Sequence, residues 1–212
     1  MKVLQPYISS KQSETIAKIY HNEIIKAEEE MHQFEVEQNL QCQCCAGCDK
    51  CCHDLILINA FEGNIIANEV KKMRSYQREP IYRQLEEQEE ILNDNGIYLK
   101  DVKRLVLMGG REKLLELKEK YYKINLPCIF LKDHKCSIYN VRPTDCWTYR
   151  QYYSSEKCET GPSREGAYVF KDKEFSVINK VIRTIYPKTD RIESLYGPLP
   201  LVLKEWLNPN KQ

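Results

Sequence analysis

Cys42-Gln43-Cys44-Cys45-Ala46-Gly47-Cys48-Asp49-Lys50-Cys51-Cys52 carries six thiols in eleven residues, and four more cysteines, Cys128, Cys136, Cys146 and Cys158, follow far downstream. Residues 53–127 contain none. A scattered free cysteine is usually a small buried hydrophobe. Clustering at ligand spacing is instead the pattern of thiolates that share a metal. A C-x-x-C pair such as Cys45/Cys48 lets two sulfurs hold one ion while the intervening amides point at them. In a helix, Cys45, Cys48 and Cys52 would share one face, and Cys51 would point about 120° away, toward a second site or a multinuclear cluster.

The distal cysteines complement this segment. Cys128-Ile129-Phe130-Leu131, a polar Lys132-Asp133-His134-Lys135 turn, and Cys136-Ser137-Ile138-Tyr139 predict a small hairpin with Cys128 and Cys136 flanking it. Arg142-Pro143 is an extended dipeptide, and Pro143 suits the first turn of a helix carrying Cys146 and Tyr149. A helix N-terminus stabilises a thiolate there, and Arg142 offsets the charge of a tetrathiolate site. Cys158 follows an expected aromatic helix (Trp147, Tyr149, Tyr152, Tyr153) and closes a set of eight. Those aromatics are expected to pack in the core, and His53 and His134 to stay solvent-exposed or behind the ligands. The C-x-x-C-x-x-C spacing of Cys45, Cys48 and Cys51 also resembles the ligand run of bacterial ferredoxins.

Around the cysteines the chain reads as helical. Ile16, Tyr20, Ile24, Ala27, Met31 and Phe34 recur at spacings of three and four, predicting a helix over 10–39 capped by Ser9 or Ser10. Helices are expected over 60–75 (Ile65, Ile66, Val70 and Met73 inward), 80–93 (Ile81, Leu85, Ile91, Leu92) and 99–124, the last interrupted at Gly109-Gly110. The run 55–58 suits either a strand or a helix entry. Phe175, Ile178, Val181, Ile182 and Ile185 mark a further helix, and Leu199-Pro200 opens a last one through Trp206. The expectation is one mostly α domain, residues 1–212, with a small β-hairpin beside a cysteine-rich metal site.

Composition narrows the partners. With 32 basic and 31 acidic residues the net charge is +1, which supplies no electrostatic footprint for nucleic acid or an anionic membrane. No apolar run approaches the roughly 18 residues of a transmembrane helix. The start, MKVLQPYISSKQSET, lacks the apolar stretch of a secretory signal, so a cytoplasmic location is expected. In a reducing cytosol the ten cysteines are not a disulfide framework.

At Cys45, Cys48, Cys51 and Cys52, then Pro127-Cys128-Ile129-Phe130-Leu131, Cys136-Ser137-Ile138-Tyr139 and Arg142-Pro143-Thr144-Asp145-Cys146, the sequence resembles the YkgJ-type cysteine-cluster proteins, zinc- or iron-chelating proteins with a C-x-x-C-x-x-C-C motif. Trp147, where many members carry arginine, departs from that pattern, as does the extra pair Cys42 and Cys44. The resemblance extends to the cysteine cluster of flagellin lysine N-methylase, which implies an iron–sulfur enzyme using S-adenosylmethionine. Cys44-x3-Cys48-x2-Cys51 fits the radical S-adenosylmethionine spacing. Lys50 stands where that motif usually has an aromatic residue, however, and no run of βα units builds the accompanying barrel.

The reading is a metal-binding protein with Cys45, Cys48, Cys51, Cys52, Cys128, Cys136, Cys146 and Cys158 as ligands. The centre is an iron–sulfur cluster (4Fe–4S) or zinc, since tetrahedral thiolates suit both. A redox or electron-transfer role leads. A protein lysine methyltransferase with a protein substrate, and a structural zinc module docking a protein partner, remain alternatives, so enzymatic activity is left open.

Overall fold

The computed structural model describes residues 10–45, 47–108, 110–159, 161, 165–185 and 196–208. Ser9 and Gly109 lie outside the described residues, as do the side chains of Ile182 and Ile185. The fold is mostly α. Its helices are α1 (Ser10–Glu37), α2 (Ala60–Lys72), α3 (Ser75–Asp94), α4 (Leu99–Leu107), α5 (Arg111–Ile124), the single turn α6 (Thr144–Trp147), α7 (Lys171–Ile185) and α8 (Leu199–Leu207). Three antiparallel strand pairs fill the joints: β1 (Leu57–Ile58) with β6 (Gly197–Pro198), β2 (Leu131–Lys132) with β3 (Lys135–Cys136), and β4 (Tyr149–Gln151) with β5 (Ala167–Val169).

The apolar stripe of α1 is buried as its spacing dictates, through Ile16, Tyr20, Ile24, Ala27 and Met31. It packs against α2 and α7, and α8 packs against α2 and α3. Burying each such large side chain contributes about 1.5–3 kcal/mol relative to leaving it in water. The α2/α8 contact is close: a Cβ on Gly63 would stand 2.7 Å from Trp206 Cδ1. A second cluster, Leu55, Leu57, Leu92, Ile97, Val102, Tyr121, Leu126 and Leu201, lies beneath α3, α4 and α5.

Several sequence expectations change. Residues 55–58 supply a strand, because Leu57 and Ile58 pair with Pro198 and Gly197 and Leu199 N–H reaches Ile56 O at 2.9 Å. Helix α3 starts at Ser75, five residues before Pro80, because Gln77 Oε1 accepts the Arg74 N–H and starts the helix there. Ile91 and Phe175 are exposed, and Phe34 lies at the surface against Tyr168 and Phe170, so periodicity placed them on the right helices but not in the core. The expected aromatic helix after Cys146 is absent. Helix α6 ends at Trp147, and Tyr149, Arg150 and Gln151 pair with Val169, Tyr168 and Ala167 as strand. Ladder bonding to β5 there outweighs continuation of a one-turn helix. Trp147 is fully buried, whereas Tyr153 is 67% exposed.

Candidate metal centre

The cysteine segment is not a helix. Gly47, at φ +87°, turns the chain in a conformation that glycine adopts without steric cost. The Cys48 N–H bonds to Cys45 O at 3.1 Å across that turn, and one 3-10 turn, Lys50–His53, follows. The helical face expected for Cys45, Cys48 and Cys52 therefore does not form.

The distal segment lies directly against this one. Cys128 N–H donates to Cys52 O at 2.7 Å, and Gln43 N–H to Gln151 O at 2.7 Å. Lys50 Nζ reaches Ser155 O at 3.1 Å and Glu159 at 2.7 Å, while His134 Nδ1 meets Asp49 Oδ2 at 2.8 Å. His134 thus latches the tip of the hairpin. Asp133 and His134 both have positive φ (49° and 59°), the conformation of a two-residue type I′ turn.

Cys51 lies within electrostatic reach of the distal sulfurs. Burial raises the Cys146 thiol pKa well above its ordinary value, and the neighbouring Cys51, Cys128 and Cys136 raise it further. Burial pushes Cys128 up to about 12, with Cys136 and Cys51 adding to the shift. Cys136 is raised by burial and by Cys51, against the opposing Arg142 guanidinium. Cys128, Cys136 and Cys146 are thus held toward their protonated forms, with the half-buried Cys51 within electrostatic reach of all three.

The donors fit a soft cation. The N–H groups of Phe130 and Leu131 donate to Cys128 Sγ, and that of Ile138 to Cys136 Sγ. Such bonds favour the thiolate and orient its lone pairs. A bound cation supplies the missing positive charge, and thiolate ligation is coupled to proton release. At the edge of the cysteine turn, His53 Nδ1 is buried without a hydrogen-bond partner among the described residues. Among the described residues no group of three or more Cys, His, Asp or Glu side chains is placed so that it could hold a metal ion as it stands.

The other expected ligands are distributed around this group. Cys52 adjoins Cys51 and binds Cys128 through its carbonyl. Cys48 and the buried Cys158 both lie within electrostatic reach of Lys50, whose pKa they raise. Cys45 is exposed on the turn. Arg142 lies near Cys136 as expected, stacked 3.9 Å from the Tyr139 ring and paired with Glu28. Helix α6 is one turn, so burial rather than a helix dipole governs Cys146.

The scaffold behind Cys146 escaped the sequence reading. Glu62, fully buried, accepts from Thr144 N–H (2.7 Å), Thr144 Oγ1 (2.8 Å), Tyr20 Oη (3.0 Å), Asn59 N–H (3.0 Å) and Asn59 Nδ2 (2.9 Å). Asp145 accepts from Leu57 N–H at 3.1 Å and from Lys171 at 3.3 Å. The single turn α6 that carries Cys146 is thereby tied to α1, α2, β1 and α7. The signal available was Asn59-x-x-Glu62, a capping-box pattern, but its reach to Thr144 is tertiary.

The described cavities lie elsewhere, one lined by Glu89, Tyr98, Lys103 and Lys204 and the other by Ile19, Glu23, Lys26 and Lys180, and no cysteine lines either. No described helix is long and apolar enough to cross a membrane.

Residues 43–180 match the CxxCxxCC family, described as a "Putative zinc- or iron-chelating domain". No curated protein and no solved structure matches the chain. The match spans more than half of the sequence, and the chain belongs to this family.

Proposed function

We propose that this member of the zinc- or iron-chelating cysteine-cluster family holds its metal on Cys51, Cys128, Cys136 and Cys146. We propose further that the centre is an iron–sulfur cluster serving electron transfer. The observation that carries the reading is the electrostatic proximity of four half-buried thiols from three separated segments, with backbone N–H groups directed at two of the sulfurs. An all-thiolate set suits iron–sulfur clusters, whose potentials are tuned by hydrogen bonds to sulfur and by exposure. Half-exposed Cys51 and Cys52 keep the centre near the surface, within reach of a redox partner. When bound, the cluster supplies a one-electron couple; the chain's own part is to hold the sulfurs and limit water around them. Cys45, Cys48, Cys52 and Cys158 complete the proposed set of eight at its margin.

The same four thiolates suit a structural zinc ion. Metal, sulfide and absorption measurements on anaerobically purified protein separate the two. The expected result is stoichiometric iron and sulfide with visible absorbance that bleaches on reduction. Stoichiometric zinc without iron would overturn the redox role, and a folded chain free of both metals would overturn the centre itself.

A further inference from the structure

The pairing of β4 with β5 leaves one strand edge open. Tyr152 N–H bonds to Gly166 O at 3.0 Å and Phe170 N–H to Thr148 O at 3.1 Å, and between them Arg150 stands opposite Tyr168. In an antiparallel ladder the main-chain groups of successive residues alternate in direction. Gly166, Tyr168 and Phe170 therefore turn theirs toward β4, while Ala167 and Val169 turn theirs away. The other edge of β4 is taken, since Gln151 O accepts the Gln43 N–H at 2.7 Å. Among the described residues no strand pairs with the outer edge of β5. Residues 166–170 are uncharged, and Tyr168 is 49% and Val169 37% exposed. Tyr168 also belongs to a surface aromatic group with Phe34 and Phe170. An open apolar edge of this kind is a template for another strand.

We propose that this edge pairs with the same edge of a second copy of the chain, giving a twofold dimer around one four-stranded sheet, β4–β5–β5–β4. The outward groups set the register. A twofold axis through Tyr168 puts Ala167 opposite the partner's Val169 and Val169 opposite the partner's Ala167, so every outward N–H and C=O of the two strands finds a partner. Tyr168 then meets the partner's Tyr168 at the close, non-hydrogen-bonded position, where cross-strand aromatic pairs stabilise a sheet. The charges agree with this antiparallel register. Glu165 and Lys171 lie three residues on either side of Tyr168, and both side chains are more than half exposed. The twofold brings each Glu165 to the Lys171 end of the other strand, whereas a parallel pairing would set like charges together. Within one chain Glu165 already pairs with Lys157, and Lys171 with Asp145 and Glu174, so these charges fix register more than affinity. At both outer edges of the sheet the Gln43 bond to Gln151 follows, so the two cysteine regions flank the same sheet. The inference is independent of the metal centre proposed above.

The test is sedimentation equilibrium of the full-length chain over a range of concentrations, in reducing buffer so that no intermolecular disulfide forms. The wild type should show a monomer–dimer equilibrium. Val169→Pro removes an outward N–H without touching the ladder to β4, at a place where an edge strand tolerates proline. It should weaken the dimer at least about tenfold, because the twofold loses two hydrogen bonds at once. Glu165→Lys changes only an exposed side chain and should weaken the dimer by a smaller factor, through like charges across the interface. Circular dichroism of dilute protein checks that both variants fold. Amides of residues 166–170 should exchange hydrogen more slowly as the wild type is concentrated. A wild type that stays monomeric throughout overturns the self-pairing and leaves the edge to a strand of another protein. A dimer that Val169→Pro leaves unchanged overturns it as well, by placing the interface on another face.

Discussion

At the scale of single residues, two side chains concentrate the consequences. Cys51, like Cys146, lies within electrostatic reach of every other member of the inner group. Cys51→Ser should therefore abolish stoichiometric metal, whereas exposed Cys45→Ser should keep most of it, as measured by metal per chain. Glu62 accepts hydrogen bonds from Tyr20, Asn59 and Thr144 in the interior. Glu62→Ala leaves those donors unsatisfied and should cost about 3–5 kcal/mol in denaturant unfolding. Burial raises the Glu62 carboxyl to about 7 from an ordinary 4.5 against the lowering effect of its hydrogen bonds. The folded chain then holds a proton that the unfolded chain has released between those pH values. Glu62's contribution is full below about pH 4.5 and is lost as pH rises through about 7, a change on the order of 3 kcal/mol. Glu62→Gln should flatten that part of the stability–pH curve, and an unchanged curve would show that another group titrates there.

At the scale of elements, the turn at Gly47 illustrates how a local conformation serves a site. A Cβ at Gly47 meets nothing within 4 Å, so the only cost of Gly47→Ala is backbone strain at positive φ. That strain is about 1–2 kcal/mol, and thermal unfolding of the metal-free chain should show a loss of this size. A larger loss would mean that the turn is packed more tightly than its open surroundings indicate. Hairpin β2–β3 was legible beforehand because a polar turn separates two apolar runs, and its register puts Cys136 opposite Leu131. Strand β4 was not legible. Aromatic residues at 147–153 suit a helix face as well as a strand, and only pairing with β5 decides between them.

At the scale of the molecule, the helical core and the cysteine region have separable sources of stability. The core runs through α1, α2, α7 and α8 with apolar residues such as Met31, Ile66, Val181 and Leu203. The cysteine segments are joined by a few bonds, among them Cys128 to Cys52 and Gln43 to Gln151. Removing metal from folded protein should thus preserve most far-ultraviolet helical signal. The amides of residues 42–53 and 128–159 should meanwhile exchange hydrogen faster and be cut sooner by protease. Uniform loss of protection across α1 and α2 as well would show that the centre holds the whole fold together.

The sequence by itself determined the helical class, the stripe of α1, the hairpin and the division of the cysteines into two groups, because each follows from local spacing and turn chemistry. Tertiary structure alone decided that Cys51 comes within electrostatic reach of the distal thiols, since that depends on how the chain turns at Gly47 and lies against Cys128. It also decided the role of Glu62, whose partner Thr144 lies 82 residues away. Periodicity reports which face of an element is apolar, but not which distant donor will meet a buried carboxylate or which sulfur will meet another.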